Sequence, residues 1–253
     1  MHSAASERSD APMQHTLTKS LLLHLLPGAV GVVLSSAFAA MGVGTAVPAL
    51  FRLLLCLTFV LLIFELGHLA LLGYHRNGRL SLEGIVLYRT PLPQKQLLLS
   101  VVSLTLLAIL TLTLTAPLDL LLMKRVFGWL PPWFFYGDLT QYRHFDRTTL
   151  IQLCTLRLLL DGFALPIIEE LYFRGYLLSR VERLGKMAPV WNHILFSLYH
   201  FWQPYNLPTI LTLFPMTWAA WKHRSLSISL WTHITLNVIG SILFSMMILG
   251  GSR

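Results

Sequence analysis

The stretch Gln96-Leu-Leu-Leu-Ser-Val-Val-Ser-Leu-Thr-Leu-Leu-Ala-Ile-Leu-Thr-Leu-Thr-Leu-Thr-Ala116 runs for 21 residues without a charged side chain. A helix needs about 20 mostly apolar residues to cross the hydrocarbon core of a bilayer. Working outward, six more apolar stretches lie at 20–41, 47–73, 148–166 with a helical continuation, 189–202, 207–221 and 226–249. The fifth and sixth in chain order are short for full spans, so tilt or local bilayer thinning is expected there. Of the 253 residues, 55% are hydrophobic and only 12% charged, against about 25% charged in soluble domains. Mean hydropathy is +0.65. These values exclude a disordered chain and disfavour a water-soluble globule. The fold class expected is all-α, a polytopic transmembrane bundle of about seven to eight helices.

The net charge of +8 raises nucleic acid as a partner. The basic residues lie in loops that flank apolar runs, and no nucleic-acid-binding motif is present, so that partner is rejected. The same residues report sidedness. With the N-terminus cytoplasmic, Arg8 and Lys19, the loop carrying Arg76, Arg79, Arg89 and Lys95, then Arg180 to Lys186, and Lys222 with Arg224 all face the cytoplasm. The other side keeps Lys124, Arg125, Arg143, Arg147 and Arg253, diluted by Asp119, Asp138 and Asp146. The expected orientation is N-terminus in and C-terminus out, and the compact length favours a bacterial plasma membrane. Residues 21–39, ending Ser-Ala-Phe-Ala, also fit a signal peptide with an A-x-A site. Cys56 and Cys154 sit inside apolar runs as small buried hydrophobes.

An ionisable side chain inside a membrane span is costly and marks function by default. Leu165-Pro-Ile-Ile-Glu-Glu-Leu-Tyr-Phe-Arg-Gly175 is the strongest case. Adjacent carboxylates project about 100° apart on a helix, so Glu169 and Glu170 cannot share one task. Glu170 and Arg174, four apart, form an ion pair on one face. Glu169 has no such partner, and a carboxylate in a low-dielectric pocket can serve as general base or acid. His200 ends Ile194-Leu-Phe-Ser-Leu-Tyr-His200, with His193 and Ser197 on the same face. His233 and Asn237 stand four apart and aim at one point. A bland alternative is that these groups are helix–helix glue. Counted at 1.5 Å per residue, however, His200, His233, Asn237 and Glu169 share one layer, roughly 10–16 Å below the cytoplasmic edge. Independent glue contacts have no reason to share a depth, and the layer is expected to open toward the cytoplasm.

Together the segments Glu169-Glu170-x-x-x-Arg174, Phe196-x-x-x-His200 and His233-x-x-x-Asn237 resemble the motifs of the CPBP family of glutamate intramembrane endopeptidases. That family includes type II CAAX prenyl proteases and abortive-infection or bacteriocin-processing proteins. The similarity covers roughly residues 148–249; the N-terminal half matches only in spanning the membrane. Three regions result: a polar cytoplasmic N-terminus at 1–19, an N-terminal transmembrane region at 20–147, and a catalytic transmembrane core at 148–250. The resemblance implies that Glu169 activates water with help from His200. It further implies that His233 and Asn237 form the oxyanion hole, and that Glu170 with Arg174 braces the site. It implies a peptide or membrane-protein substrate, with prenylated tails and leader peptides both open, in contact with the lipid bilayer.

Zinc is the rival, since two histidines and a glutamate make a plausible ligand set. The HExxH spacing is absent and Asn237 is a poor zinc ligand, so no cofactor is expected. Glu65-x-x-His68 has the i, i+3 spacing of di-iron bundles but occurs once, as half a site. Arg157 and Asp161, four apart, are expected to neutralise each other. The leading function is an intramembrane endopeptidase hydrolysing a peptide bond with glutamate-activated water. The alternative is a non-catalytic membrane scaffold or an immunity or transporter-associated protein of the same family.

Overall fold

The computed structural model describes residues 13–250. Arg8 and Arg253, which entered the charge count, lie outside the described residues. Eight helices carry the fold: α1 (Leu17–Ala40), α2 (Ala49–Asn77), α3 (Gln94–Arg125), α4 (Arg147–Leu184), α5 (Met187–Tyr199), α6 (Leu207–Leu211), α7 (Phe214–His223) and α8 (Leu226–Gly250). Among the described residues no strand forms; Arg89 and Ser225 make an isolated bridge. Five of the helices, α1 to α4 and α8, are long and apolar enough to cross a membrane.

The local chemistry explains the ends. The Thr16 hydroxyl accepts from Lys19 N at 3.2 Å and starts α1. The Asp146 carboxylate accepts from Thr149 N at 3.0 Å and starts α4. Gly78 takes the left-handed conformation (φ 67°) that closes α2.

The two short stretches are not full spans. α5 has 13 residues, about 20 Å of helix, and the expected sixth span is broken into α6 and α7. Pro208 and Pro215 stand at the starts of these two pieces. Each proline lacks an N–H and disfavours helix in the residue before it, so the chain restarts rather than continues. α5 and α6–α7 form a short hairpin packed against α4, α3 and α8.

The long helices are not regular. α2 widens into π-type turns at Leu62–Gly67, and α4 does so at Leu160–Ala164 and Glu170–Leu177. Backbone groups freed inside a bilayer need internal partners. Asn237 Nδ2 donates to the Asp161 carbonyl at 2.8 Å, and Asn192 Nδ2 donates to the Phe173 carbonyl at 2.9 Å.

The two ends of the bundle differ. At the basic end, residues 82–90 fold under α4. Leu87 N donates to Gly175 O at 2.8 Å and Leu226 N to Tyr88 O at 2.6 Å, with Ile85 and Val86 buried beneath. The Tyr88 hydroxyl donates to Glu182, which also pairs with Arg224. Burial pushes that hydroxyl up to about 12, against the pull of Arg224. At the other end, the loop after α3 is pinned by Tyr142 and Tyr205, whose hydroxyls donate to the Tyr136 and Phe134 carbonyls at 2.7 and 2.9 Å. α3 buries only Thr105 and Ala108 and turns its leucines outward.

α1 meets α5 at Gly28, where an added Cβ would stand 2.0 Å from the Tyr199 carbonyl oxygen. Small residues permit this closeness of backbones. Gly28→Val is therefore expected to destabilise the protein by about 1–3 kcal/mol, measured as a lower thermal unfolding midpoint in detergent. An unchanged midpoint would show that the contact yields freely.

Candidate active site

α4, α5 and α8 converge on a cavity of about 530 Å³ whose inner wall carries Glu169, Tyr199, His200, His233 and Asn237. Four of the six residues singled out in the sequence line this one cavity. The other two, Glu170 and Arg174, stand directly behind it with no exposed surface.

Glu169 ends a regular turn of α4, just before the wide turn that begins at Glu170. It is 6% exposed. Its Oε1 accepts from the Tyr199 hydroxyl at 3.2 Å, and its Oε2 lies 3.8 Å from His233 Nε2. One carboxylate oxygen is thus occupied and the other is open to the cavity.

Glu170 turns away, as the 100° step requires. Its Oε1 lies 3.3 Å from Arg174 Nη1 and 3.0 Å from His233 Nδ1. Arg174 donates from Nη2 to Thr217 Oγ1 at 3.1 Å and lays its guanidinium 3.7 Å over the Phe196 ring. His193 stands on the far side of Thr217. Its Nε2 faces the Ile210 and Leu211 carbonyls at 3.1 and 3.2 Å, so that nitrogen donates and Nδ1 accepts from the Thr217 hydroxyl at 3.0 Å. His193 therefore supports Arg174 from behind and does not enter the cavity.

The partners fix which histidine nitrogens carry protons. His200 Nδ1 lies 2.8 Å from the Phe196 carbonyl. A carbonyl only accepts, so Nδ1 donates and Nε2 presents a lone pair in the neutral ring. The Nδ1 of His233 donates to Glu170 by the same reasoning. Asn237 gives one amide hydrogen to the Asp161 carbonyl and keeps a second.

Arg157 and Asp161 pair at 3.3 Å, as their spacing predicts, and line the outer part of the cavity. Glu65 and His68 do not form a site together. Glu65 is buried, whereas His68 sits in an apolar groove between α1 and α2 with its ring 6.0 Å from Tyr172. Both cysteines are buried and free. Among the described residues no three His, Cys, Asp or Glu side chains are grouped to hold a metal ion. Sequence reasoning missed Tyr199 and Thr217. Tyr199 could have been suspected as a phenol beside His200 on an apolar helix, but nothing marked Thr217.

The cavity walls run from Glu169 outward to Tyr136, Gly137, Leu139 and Met247, at the end opposite the basic loops. Toward the basic loops Val86 packs under Gly175, where an added Cβ would stand 2.6 Å from the valine side chain.

Removing one partner of a buried ion pair costs about 3–5 kcal/mol, because the other charge is left uncompensated. Arg174→Met is expected to lose that much stability, and the double variant Glu170→Leu/Arg174→Met to recover most of it. Thermal unfolding of wild type, Glu170→Leu, Arg174→Met and the double variant checks this; additive losses would contradict the pairing.

No curated protein and no solved structure matches the chain. Residues 151–239 match the sequence model of one family, described as type II CAAX prenyl endopeptidase Rce1-like. That segment contains Glu169, Glu170, Arg174, His200, His233 and Asn237, so over the stretch that carries these six residues this membrane-embedded chain is similar to a family of proteases, the likeness that the three motifs imply.

Proposed function

We propose that the chain is an intramembrane endopeptidase in which Glu169 activates water. The observation that carries this is the divided Glu169 carboxylate: Oε1 is held by Tyr199 while Oε2 faces the cavity and His233. A water between Glu169 and His200 gives one hydrogen to Oε2 and the other to the His200 Nε2 lone pair. Its oxygen then attacks the peptide carbonyl as Glu169 takes the proton. The tetrahedral oxyanion faces the second amide hydrogen of Asn237 and the Nε2 edge of His233, which donates when that nitrogen carries a proton. Glu169 returns its proton to the departing amine, so the step balances as water added across the C–N bond. One oxyanion donor is typically worth about 3–4 kcal/mol.

Glu170 and Arg174 act indirectly. They hold His233 by its Nδ1–H and hold α5 by the Phe196 ring, which keeps the cavity-facing groups in register. No metal takes part in this scheme. The second oxygen of Glu169, the free nitrogen of His200 and the amide of Asn237 are all assigned to water or to the oxyanion.

The substrate is a peptide or protein segment that reaches the site from the membrane or from the cavity mouth. Keeping the Lys and Arg sidedness, the basic end is cytoplasmic, and the mouth beside Gly137 then faces the other compartment. This favours a leader-like or membrane-anchored segment over a cytoplasmic prenylated tail.

Three measurements test this. Protein N-termini compared in membranes of cells carrying wild type or Glu169→Gln should reveal neo-termini that vanish in the variant. A Glu169→Gln protein as active as wild type would overturn the assignment. Turnover should also persist in a strong zinc chelator, and loss of activity restored by zinc would overturn the metal-free scheme. For sidedness, Cys56 and Cys154 are buried, while Gly137 and Arg183 are exposed. Gly137→Cys should react with an impermeant maleimide on intact cells, and Arg183→Cys only after permeabilisation. The reverse pattern would invert the orientation.

A further inference from the structure

Glu65 has no part in the chemistry above, yet it is the interior carboxyl with the least compensation. It lies in the wide turn of α2 with no exposed surface, and neither of its oxygens makes a well-formed hydrogen bond, although the Tyr199 hydroxyl faces them. The groups that face it are the Tyr199 hydroxyl, Glu169 and Tyr172; among the described residues no Lys, Arg or His is one of them. An unpaired polar group in such a place is usually a burden, and an apolar side chain of similar size would be neutral or stabilising. Wide turns inside helices are frequent at functional sites.

The proton inventory narrows what this side chain can do. The Tyr199 hydroxyl has one hydrogen, and it is given to Glu169 Oε1 at 3.2 Å. Toward Glu65 the same oxygen presents only lone pairs, which a carboxylic O–H can engage and a carboxylate cannot. A turn about the terminal torsion of Glu65, which is soft, is all that the contact of such an O–H with the phenol oxygen requires. The result is a directed chain, Glu65 O–H to Tyr199 Oη–H to Glu169 Oε1, in which each bond polarises the next.

We infer that Glu65 is a positioning residue for the hydrolysis, acting on Glu169 through the Tyr199 hydroxyl so that Oε1 stays occupied and Oε2 stays free for water. This rests on Glu169 being the general base. By pinning the phenol hydrogen toward Glu169, Glu65 prevents the hydroxyl from turning away and prevents the carboxylate from rotating its two oxygens.

The test uses the full chain in lipid nanodiscs. The first readout needs no substrate: the infrared carbonyl stretch of a protonated carboxyl should be present in wild type, absent in Glu65→Leu, and shifted in Tyr199→Phe. A band untouched by both changes overturns the inference. The second readout is turnover of an internally quenched peptide carrying the cleaved sequence identified from the neo-termini. Glu65→Leu should unfold at or above the wild-type midpoint, yet lose roughly tenfold or more in kcat with KM unchanged. Glu65→Gln, whose amide can donate to the same phenol oxygen, should stay within about threefold of wild type. A purely structural Glu65 would move the midpoint and leave kcat alone, which would overturn the inference. Should Glu65→Leu fail to fold, Tyr199→Phe carries the test and must show the same kcat loss. An inactive Glu169→Gln beside a fully active Glu65→Leu removes this inference alone. An active Glu169→Gln removes the general-base assignment, and the infrared band still decides whether the three groups are linked.

Discussion

Arg174 is a full guanidinium charge with no exposed surface, and it touches something from each helix around it. Glu170 comes from its own helix, Thr217 from α7 and the Phe196 ring from α5, while His233 of α8 is reached through Glu170. A buried ion pair contributes little net stability, because desolvation offsets most of the attraction. What it does supply here is rotational register. With Glu170 committed to Arg174, α4 has no freedom to turn about its axis, and Glu169, one residue earlier, is aimed into the cavity. The direction in which one carboxyl points follows from the structural commitment of its neighbour.

The wide turns are the second device. Each of the three sits where a polar side chain enters an apolar interior: Glu65 in α2, Asp161 and then Glu170 with Arg174 in α4. A regular helix offers lipid a closed backbone but also dictates where side chains point. Widening a turn relaxes that dictate at the cost of carbonyls that need other donors, and Asn237 and Asn192 provide two of them. Asn237 thus does two things with one amide, clamping α4 with one hydrogen and facing the cavity with the other.

The apolar patterning made the helical membrane class legible, because lipid leaves few alternatives to a helix. The long spans were visible for the same reason. The two short stretches are legible as short but not as a hairpin, and the break of the sixth at Pro208 and Pro215 is invisible to hydropathy. Of the site, the polar and charged residues in apolar surroundings were legible: Glu169, Glu170, Arg174, His200, His233 and Asn237 each stand out from the stretch that carries them. Tyr199 and Thr217 were not, because a phenol or hydroxyl in a membrane helix is ordinary until a carboxylate or guanidinium is seen beside it. The packing of residues 82–90 under α4 was also hidden, since no count along a single helix reports what another segment occupies.

The close approach of Gly28 to the Tyr199 carbonyl carries a historical consequence. The first helix lies outside the segment that matches the protease family, and most of its outward residues are free to drift among apolar types. Position 28 is different, since its partner is backbone and cannot shrink in compensation. Selection acting on the placement of Tyr199 and its neighbours therefore extends, by steric contact alone, into a helix outside that segment. Among descendants of this chain, glycine at that point should persist for as long as α5 is held where it is.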